Sequence, residues 1–141
     1  MYGTFNRNVD EKNRVAIPAK LRDSLGSKFY MTIGLSGVIE LRSEAEYNIF
    51  AEKLLSQSQF STNARMLQRA WLGNTQEIEL DSQSRFIIPK QFLLKANIQK
   101  EVVLIGVGNL IELWAADEYE NYLSSVTDEK LEEAALKLSE K

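Results

Sequence analysis

The sequence predicts an α+β fold in which one small unit occurs twice within the chain. The stretch DEKNRVAIP at residues 10–18 recurs as DSQSRFIIP at residues 81–89, with Asp, Arg, Ile and Pro at a constant offset of 71. The stretch IGLSGVIELRSEAEY at residues 33–47 recurs as IGVGNLIELWAADEY at residues 105–119, at an offset of 72. Two copies indicate a duplicated small domain, because solenoids need about three repeats or more.

The first copy is predicted to begin with a β-hairpin. Alternation over residues 2–9 predicts a strand, and the chain returns as a second strand over residues 14–17. Asp10 opens the three-residue loop between them, and Asn13 suits the left-handed conformation that such a loop needs near its end. The same pattern surrounds Asp81 in the second copy, so the sequence predicts two equivalent hairpins.

A short helix, an apolar β-hairpin and a longer helix follow in each copy. Pro18 and Pro89 fit the first helical turn, and Gly26 and Asn97 accept the left-handed conformation that ends a helix. One such unit has too little interior to bury its own strands. We therefore expect the two halves to complete one shared β-barrel, an intramolecular pseudo-dimer with peripheral helices.

These patterns divide the chain into four segments. Residues 5–47 are predicted to form the first repeat and residues 76–119 the second. Residues 48–75 form a helical connector, and residues 120–141 form a C-terminal acidic helical segment. The acidic segment has a narrow apolar stripe, which either packs on the core or lies between subunits.

The composition is that of a globular protein without the residues of common enzyme sites. Of its 141 residues, 44% are hydrophobic and 26% are charged, and there is no cysteine and no histidine. Thiol chemistry, the usual catalytic triads and the commonest metal ligands are thereby excluded. No apolar stretch reaches the about 18 residues of a membrane span, and the N-terminus is too polar for a signal peptide. We expect a cytoplasmic protein that is not an enzyme and uses no metal, cofactor, membrane or small-molecule substrate.

Charge is distributed unevenly along the chain. The net charge of −3, taken alone, argues against a nucleic-acid partner. Residues 1–28, however, carry six Lys or Arg against three Asp or Glu, residues 29–111 carry eight against eight, and residues 112–141 carry three against nine. A basic beginning and an acidic end make the average uninformative.

The Asp and Arg of the repeated D-x-x-x-R motif flank a tight turn and are expected to lie opposite each other. A carboxylate in this position can accept the N–H groups of the turn and also hold a guanidinium. The pairs Asp10–Arg14 and Asp81–Arg85 are therefore either turn clips alone, or each aspartate orients an arginine that keeps free donors for a phosphate or a guanine edge.

Basic and amide side chains surround these motifs. Lys and Arg bind phosphate, and Asn and Gln can read adenine, although an ordinary charged surface would look similar. Arg7 stands where the second copy has Ile78, so it is either a stem that covers apolar surface or a contact residue. Because the second loop has fewer such side chains, we expect the first repeat to contribute more DNA affinity. The predicted DNA-binding residues are Arg7, Lys12, Asn13, Arg14, Lys20, Arg22, Gln83, Arg85 and Lys90, and the predicted structural residues of the motifs are Asp10, Pro18, Asp81 and Pro89.

The doubled D-x-x-x-R with I-P, the I-G and I-E-L hairpins and the chain length closely resemble the MraZ family over nearly the whole chain. The resemblance implies two SpoVT/AbrB-like swapped-hairpin repeats, with Asp10 and Arg14 in the first motif and Asp81 and Arg85 in the second. It implies a cytoplasmic, nucleoid-associated, sequence-specific DNA-binding transcriptional regulator. It also implies binding to repeated short boxes in the promoter of the division and cell-wall gene cluster, as a ring-shaped homo-oligomer, an octamer or similar.

A protein-binding module is the second hypothesis. The acidic end of the chain is similar to the flexible acidic tail through which AbrB-type antitoxins neutralise a toxin. Removal of residues 127–141 separates the two hypotheses, because DNA binding survives it under the first and partner binding fails under the second.

Overall fold

The computed structural model describes residues 1–140; residue 141, the last of the predicted acidic segment, lies outside the described residues. Each half of the chain contributes four strands and a set of helices. The first half comprises β1 (Tyr2–Asn8), β2 (Arg14–Ala16), α1 (Ala19–Leu25), β3 (Lys28–Ile33), β4 (Ile39–Ser43), α2 (Glu44–Leu55) and α3 (Thr62–Leu72). The second half comprises β5 (Gln76–Glu79), β6 (Arg85–Ile87), α4 (Lys90–Lys95), β7 (Glu101–Val107), β8 (Ile111–Ala115), α5 (Ala116–Ser125) and α6 (Asp128–Ser139).

The strands within residues 1–140 form two antiparallel sheets. Six strands form one sheet in the order β1-β7-β8-β4-β3-β5, and β2 pairs with β6 in a separate two-stranded ribbon. The mixed α+β class is as predicted, but the strands do not close into a single barrel. β1 and β5 remain the two edges of the larger sheet.

Both sheets combine strands from both halves. β1 pairs with β7 along its whole length, from Tyr2↔Val107 to Asn8↔Glu101, and β5 pairs with β3. The predicted pairing of residues 2–9 with residues 14–17 is therefore wrong, and so is the equivalent pairing of the two strands that flank the Asp81 loop, although both turns form. The physical reason is that β7 offers a partner in register to all seven residues of β1, whereas β2 has only three residues. The later hairpins, β3–β4 and β7–β8, form as predicted.

The hydrophobic core lies between the inner face of the six-stranded sheet and the β2–β6 ribbon. Phe29 of β3 contacts Phe86 of β6 edge to face, with 5.4 Å between the ring centroids. Leu21 of α1 and Phe92 of α4 are also fully buried there. The ribbon is thus packed on the hydrophobic core, and this packing fixes the loops that precede β2 and β6.

The outer face of the six-stranded sheet is covered by helices. Tyr47 of α2 stacks on Tyr30 of β3 at 4.5 Å, so α2 lies on the side opposite the ribbon. α5 covers the other end of the sheet, where Tyr119 and Tyr122 each lie 5.2 Å from the Trp114 ring of β8. α6 follows α5, and every one of its residues is exposed.

Candidate nucleic-acid interface

The β1–β2 loop is built around one carboxylate. Oδ1 of Asp10 accepts the backbone N–H groups of Lys12 and Arg14, each at 2.9 Å. Oδ2 of Asp10 accepts from Nε of Arg14 at 2.8 Å. The N–H of Asn13 also donates to the carbonyl of Asp10 at 3.0 Å, and Asn13 has φ 60°. The carboxylate therefore fixes both the turn and the arginine, and the left-handed conformation predicted for Asn13 is confirmed.

The β5–β6 loop repeats this arrangement. Oδ1 of Asp81 accepts the N–H groups of Gln83 and Arg85 at 2.9 Å, and its Oδ2 accepts from Nε of Arg85 at 3.0 Å. Ser84, with φ 58°, takes the place of the asparagine. A serine is a less favourable choice than asparagine in the left-handed region. The two loops are structural copies although their inner sequences differ.

Both aspartates are held in their charged form. The backbone N–H of Arg14 is the largest cause that lowers the pKa of Asp10, and the Arg14 side chain and the N–H of Lys12 add to it. The backbone N–H of Arg85 lowers the pKa of Asp81 in the same way. Because each carboxylate stays ionised, it pairs with its arginine throughout the neutral pH range.

The arginines present their remaining donors to solvent. The Arg14 side chain is 26% exposed and the Arg85 side chain is 29% exposed. Within residues 1–140, Nε is the only guanidinium atom of either residue that donates a hydrogen bond to the protein. The two terminal nitrogens of each guanidinium remain available to a phosphate or a guanine edge. Arg14 is thus neither sealed in the core nor merely consumed by its clip.

The ribbon brings the two loops together with approximate twofold symmetry. The N–H of Ile17 donates to the carbonyl of Ser84, and the N–H of Ile88 donates to the carbonyl of Asn13, both at 2.9 Å. Nη1 of Arg22 on α1 crosses between the halves and donates to Oγ of Ser84 at 3.2 Å. Each loop is therefore buttressed by the other half of the chain.

Arg14 and Arg85 line the same shallow groove. The groove also contains Glu77 and Glu79 of β5, beside the Asp81 clip. The equivalent positions on β1 are the neutral Asn6 and Asn8. The second half therefore places two carboxylates where the first half has amides. The sequence analysis did not predict that these acids lie in the groove or that Arg22 contacts Ser84. The acids could have been found from the repeat, because Glu77 and Glu79 stand where the first copy has asparagines.

The other predicted contact residues are distributed over three places. Arg7 is half-buried, donates from Nη1 to the carbonyl of Asn6 at 2.7 Å, and lies 6.0 Å from the Phe5 ring centroid. It lines a different groove, at the β1–β7 edge, together with Glu101. The structure therefore does not bring Arg7 into the groove of Arg14 and Arg85. Four further residues are exposed, on the two loops and the two short helices: Lys12, Gln83, Lys20 and Lys90.

Pro18 and Pro89 are the N-caps of α1 and α4, one residue earlier than the position predicted for them. Asn97 has the positive φ expected after its helix, 57°. Gly26 also has a positive φ, 87°, but its ψ of 168° lies outside the left-handed helical region that was predicted for it. Within residues 1–140, no cluster of His, Cys, Asp or Glu could hold a metal ion. The same part of the chain has no helix that is long and apolar enough to cross a membrane.

The fold and these loops define a class of protein. It is a duplicated α+β scaffold whose halves exchange strands and present two clipped arginines on neighbouring loops. Comparison with known proteins identifies the group within this class. The family model described as "MraZ protein, putative antitoxin-like" matches residues 1–70 and again residues 71–139. The chain belongs to the MraZ family.

Curated relatives match along nearly the full length. A protein of Mycoplasmopsis pulmonis named transcriptional regulator MraZ is 44% identical over 140 residues, which cover 99% of this chain and 95% of the relative. Proteins of the same name from Mesoplasma florum and Mesomycoplasma hyopneumoniae are each 37% identical. They cover 95% and 93% of this chain and 92% and 90% of the relatives, respectively.

Proposed function

We propose that this protein is a sequence-specific DNA-binding transcriptional regulator. The observation that carries the proposal is the pair of clipped arginines, Arg14 and Arg85, which share one groove and whose terminal nitrogens donate to no group within residues 1–140. A rigid guanidinium can bind a guanine edge through two hydrogen bonds without first losing side-chain entropy. The names of the relatives, transcriptional regulator MraZ, support the same function.

The surrounding cations supply affinity without sequence preference. Four exposed cations near the two loops contact phosphates in this proposal: Lys12, Lys20, Arg22 and Lys90. Asn13 and Gln83 are the loop amides placed to read a base edge. Arg7 contacts the backbone of DNA from its separate groove. The first repeat contributes more affinity, because Glu77 and Glu79 oppose phosphate beside the second loop.

The protein acts on repeated short boxes in the promoter of the division and cell-wall gene cluster, in the cytoplasm and in association with the nucleoid. It does so as a ring-shaped homo-oligomer, an octamer or similar. One basic patch makes few phosphate contacts and therefore gives a modest, salt-sensitive affinity. Several patches on one assembly convert weak contacts into avidity when their spacing matches the boxes. The repeats at residues 5–47 and 76–119 are its structural units, and the strand exchange between halves supports a swapped-hairpin ancestry for them.

Arg14→Ala tests the proposal in a mobility-shift titration on the promoter fragment. A bidentate arginine–guanine contact provides about 1–3 kcal/mol of discrimination, so we expect specific affinity to fall roughly 5- to 150-fold. Lys53→Ala is the control, because Lys53 is an exposed cation on α2, on the opposite side of the sheet. Titrations at two salt concentrations separate the loss of base contacts from the loss of phosphate contacts.

Three results of this experiment decide whether Arg14 reads the bases. If the Arg14→Ala variant folds and assembles normally but no longer prefers the boxes, the proposal is supported. Unchanged binding means that another element reads the bases. Loss of the folded circular dichroism spectrum means that the clip is purely structural. Arg85→Ala, expected to have the smaller effect, measures the share of the second loop.

The alternative function, a protein-binding module that uses its acidic tail, is supported by the antitoxin-like description of the family and by the exposure of α6. Removal of residues 127–141 tests it. DNA binding to a single box that survives the truncation favours the regulator, whereas a partner protein that binds only the full chain favours the alternative.

A further inference from the structure

Helix α6 has an apolar stripe that remains exposed among the residues 1–140 that the structure describes. Leu131 and Leu138 are 57% and 68% exposed, and Ala134 and Ala135 lie on the same helical face between them. The helix has 12 residues, capped at its start by Thr127. Isolated helices shorter than about 12–15 residues are marginal in water. A stable α6 therefore needs a surface to pack against.

The exposed face of α3 has complementary properties. Arg65, Met66 and Arg69 are all exposed there, and α3 contains no acidic residue. Met66 is 57% exposed, and Phe60, just before the helix, is 90% exposed. No residue within 1–140 covers this apolar strip, which is bordered by two arginines one turn apart.

The charges of α6 match those of α3 in sign and in spacing. Asp128 and Glu132 stand four residues apart on one flank of the α6 stripe, and Arg65 and Arg69 stand four residues apart on α3. Both pairs rise by one helical turn, about 6 Å. The apolar stripe of α6 can therefore cover Met66 while its acidic flank faces the two arginines.

The positions of the two helices point to different copies of the chain. α3 packs on β3, near the β5 edge of the six-stranded sheet, whereas α5, which leads into α6, packs on β7 and β8 toward the other edge. A contact between unlike surfaces at opposite ends of one subunit is heterologous. Such contacts generate rings when the rotation closes.

We propose that α6 of one copy docks on the α3 face of a second copy, and that this contact builds the assembly. The contact surfaces are the α6 stripe with Asp128 and Glu132 on one side, and Arg65, Met66 and Arg69 on the other. The assignment rests on the self-association proposed above and gives it a location. It also leaves the ribbon and its two arginine loops outside the interface.

Two charge reversals test the assignment by sedimentation. Variant A carries Arg65→Glu and Arg69→Glu, and variant B carries Asp128→Lys and Glu132→Lys. Each variant alone presents like charges across the interface, so each should sediment near the mass of one chain, 16.1 kDa. An equal mixture should recover the wild-type mass, because the acidic α6 of A meets the basic α3 of B, and the reversed α6 of B meets the reversed α3 of A.

A chain that combines all four substitutions is the matched control, and it should also assemble. If the four-substitution chain assembles but the mixture does not, α6 packs on α3 of its own chain and the assignment is overturned. Full-size assemblies of A or B alone, or a failure of both the mixture and the four-substitution chain, also overturn it. Circular dichroism of each variant shows whether a decrease in sedimenting mass is accompanied by unfolding of the chain.

The same samples separate this assignment from the proposed function. Monomeric variant A should still bind the promoter fragment, but with lower affinity than the wild-type assembly. This residual binding should depend on Arg14. A wild-type chain that sediments as a monomer overturns the proposed oligomer as well. A wild-type oligomer that both reversals leave intact overturns the α6–α3 contact alone.

Discussion

Arg42 provides the sharpest test of the energetics of the fold. Its side chain is 9% exposed on the outer face of the sheet, where Nη1 donates to Oε1 of Glu40 at 3.1 Å and to Oγ1 of Thr32 at 3.2 Å. Its guanidinium carbon lies 3.9 Å from the centroid of the Phe50 ring. Glu40 also pairs directly with Glu112 across β4 and β8. The arginine therefore compensates a carboxylate that faces a second carboxylate.

Arg42→Met keeps most of the packing and removes the charge. Removing one partner of a buried ion pair costs about 3–5 kcal/mol, and like charges directly opposite in a sheet add to the cost. The Glu40 side chain keeps 16% exposure, so water compensates part of the loss. We expect the free energy of unfolding to fall by about 2–4 kcal/mol, measured by urea denaturation with tryptophan fluorescence.

The double variant Arg42→Met with Glu40→Gln is the control. It has no uncompensated charge beside Glu112, so it should recover most of the lost free energy of unfolding. Equal instability of the single and the double variant would refute the reasoning, because the cost would then come from lost contact with Phe50. A loss below about 0.5 kcal/mol for Arg42→Met would refute it as well.

Three smaller perturbations test the loops. Ser84→Asn should raise the free energy of unfolding by about 0.5–1 kcal/mol in urea denaturation, because asparagine tolerates the left-handed conformation better; Asn13→Ser should do the reverse. Since the pKa values of Asp10 and Asp81 are lowered by folding, the stabilisation by these carboxylates is present at neutral pH and is lost as the pH falls below about 4. Substitution of both aspartates by Asn should therefore weaken the decrease of the urea midpoint with falling pH. An unchanged pH dependence of the urea midpoint would contradict this. Glu79→Asn should raise affinity for the promoter fragment at low salt and do so less at high salt; unchanged affinity would place DNA away from the groove.

Local chemistry made the loops predictable from the sequence. Asp, a left-handed residue and Arg at fixed spacing specify the clip within five residues, and the structure shows it at Asp10 and again at Asp81. The hairpins β3–β4 and β7–β8 were predictable for the same reason, since a short glycine-bearing turn joins adjacent strands. The repeat itself predicted that the two halves would be alike.

Contacts between distant residues were not predictable from local patterns. Strand alternation does not say which strand pairs with β1, and its partner β7 lies about 100 residues away along the chain. The burial of Arg42 was not predictable from the sequence, because an arginine in a strand pattern normally indicates a solvent-facing position. Its burial depends on Glu40, Thr32 and Phe50 converging on it. The equivalent residue of the second half is Trp114, so the repeat gave no indication of a charge there.

The pairing of β2 with β6 has a consequence for how the protein meets the double helix. A dimer of identical half-size chains would present two identical loops and would suit a palindrome. Here the loops share one backbone scaffold but follow strands that differ in their side chains, with Asn8 at the end of β1 and Glu79 at the end of β5. Because one polypeptide joins two unlike halves, we expect a DNA-bound chain to have a front and a back along the DNA axis, and therefore to favour sites that have a direction, arranged head to tail.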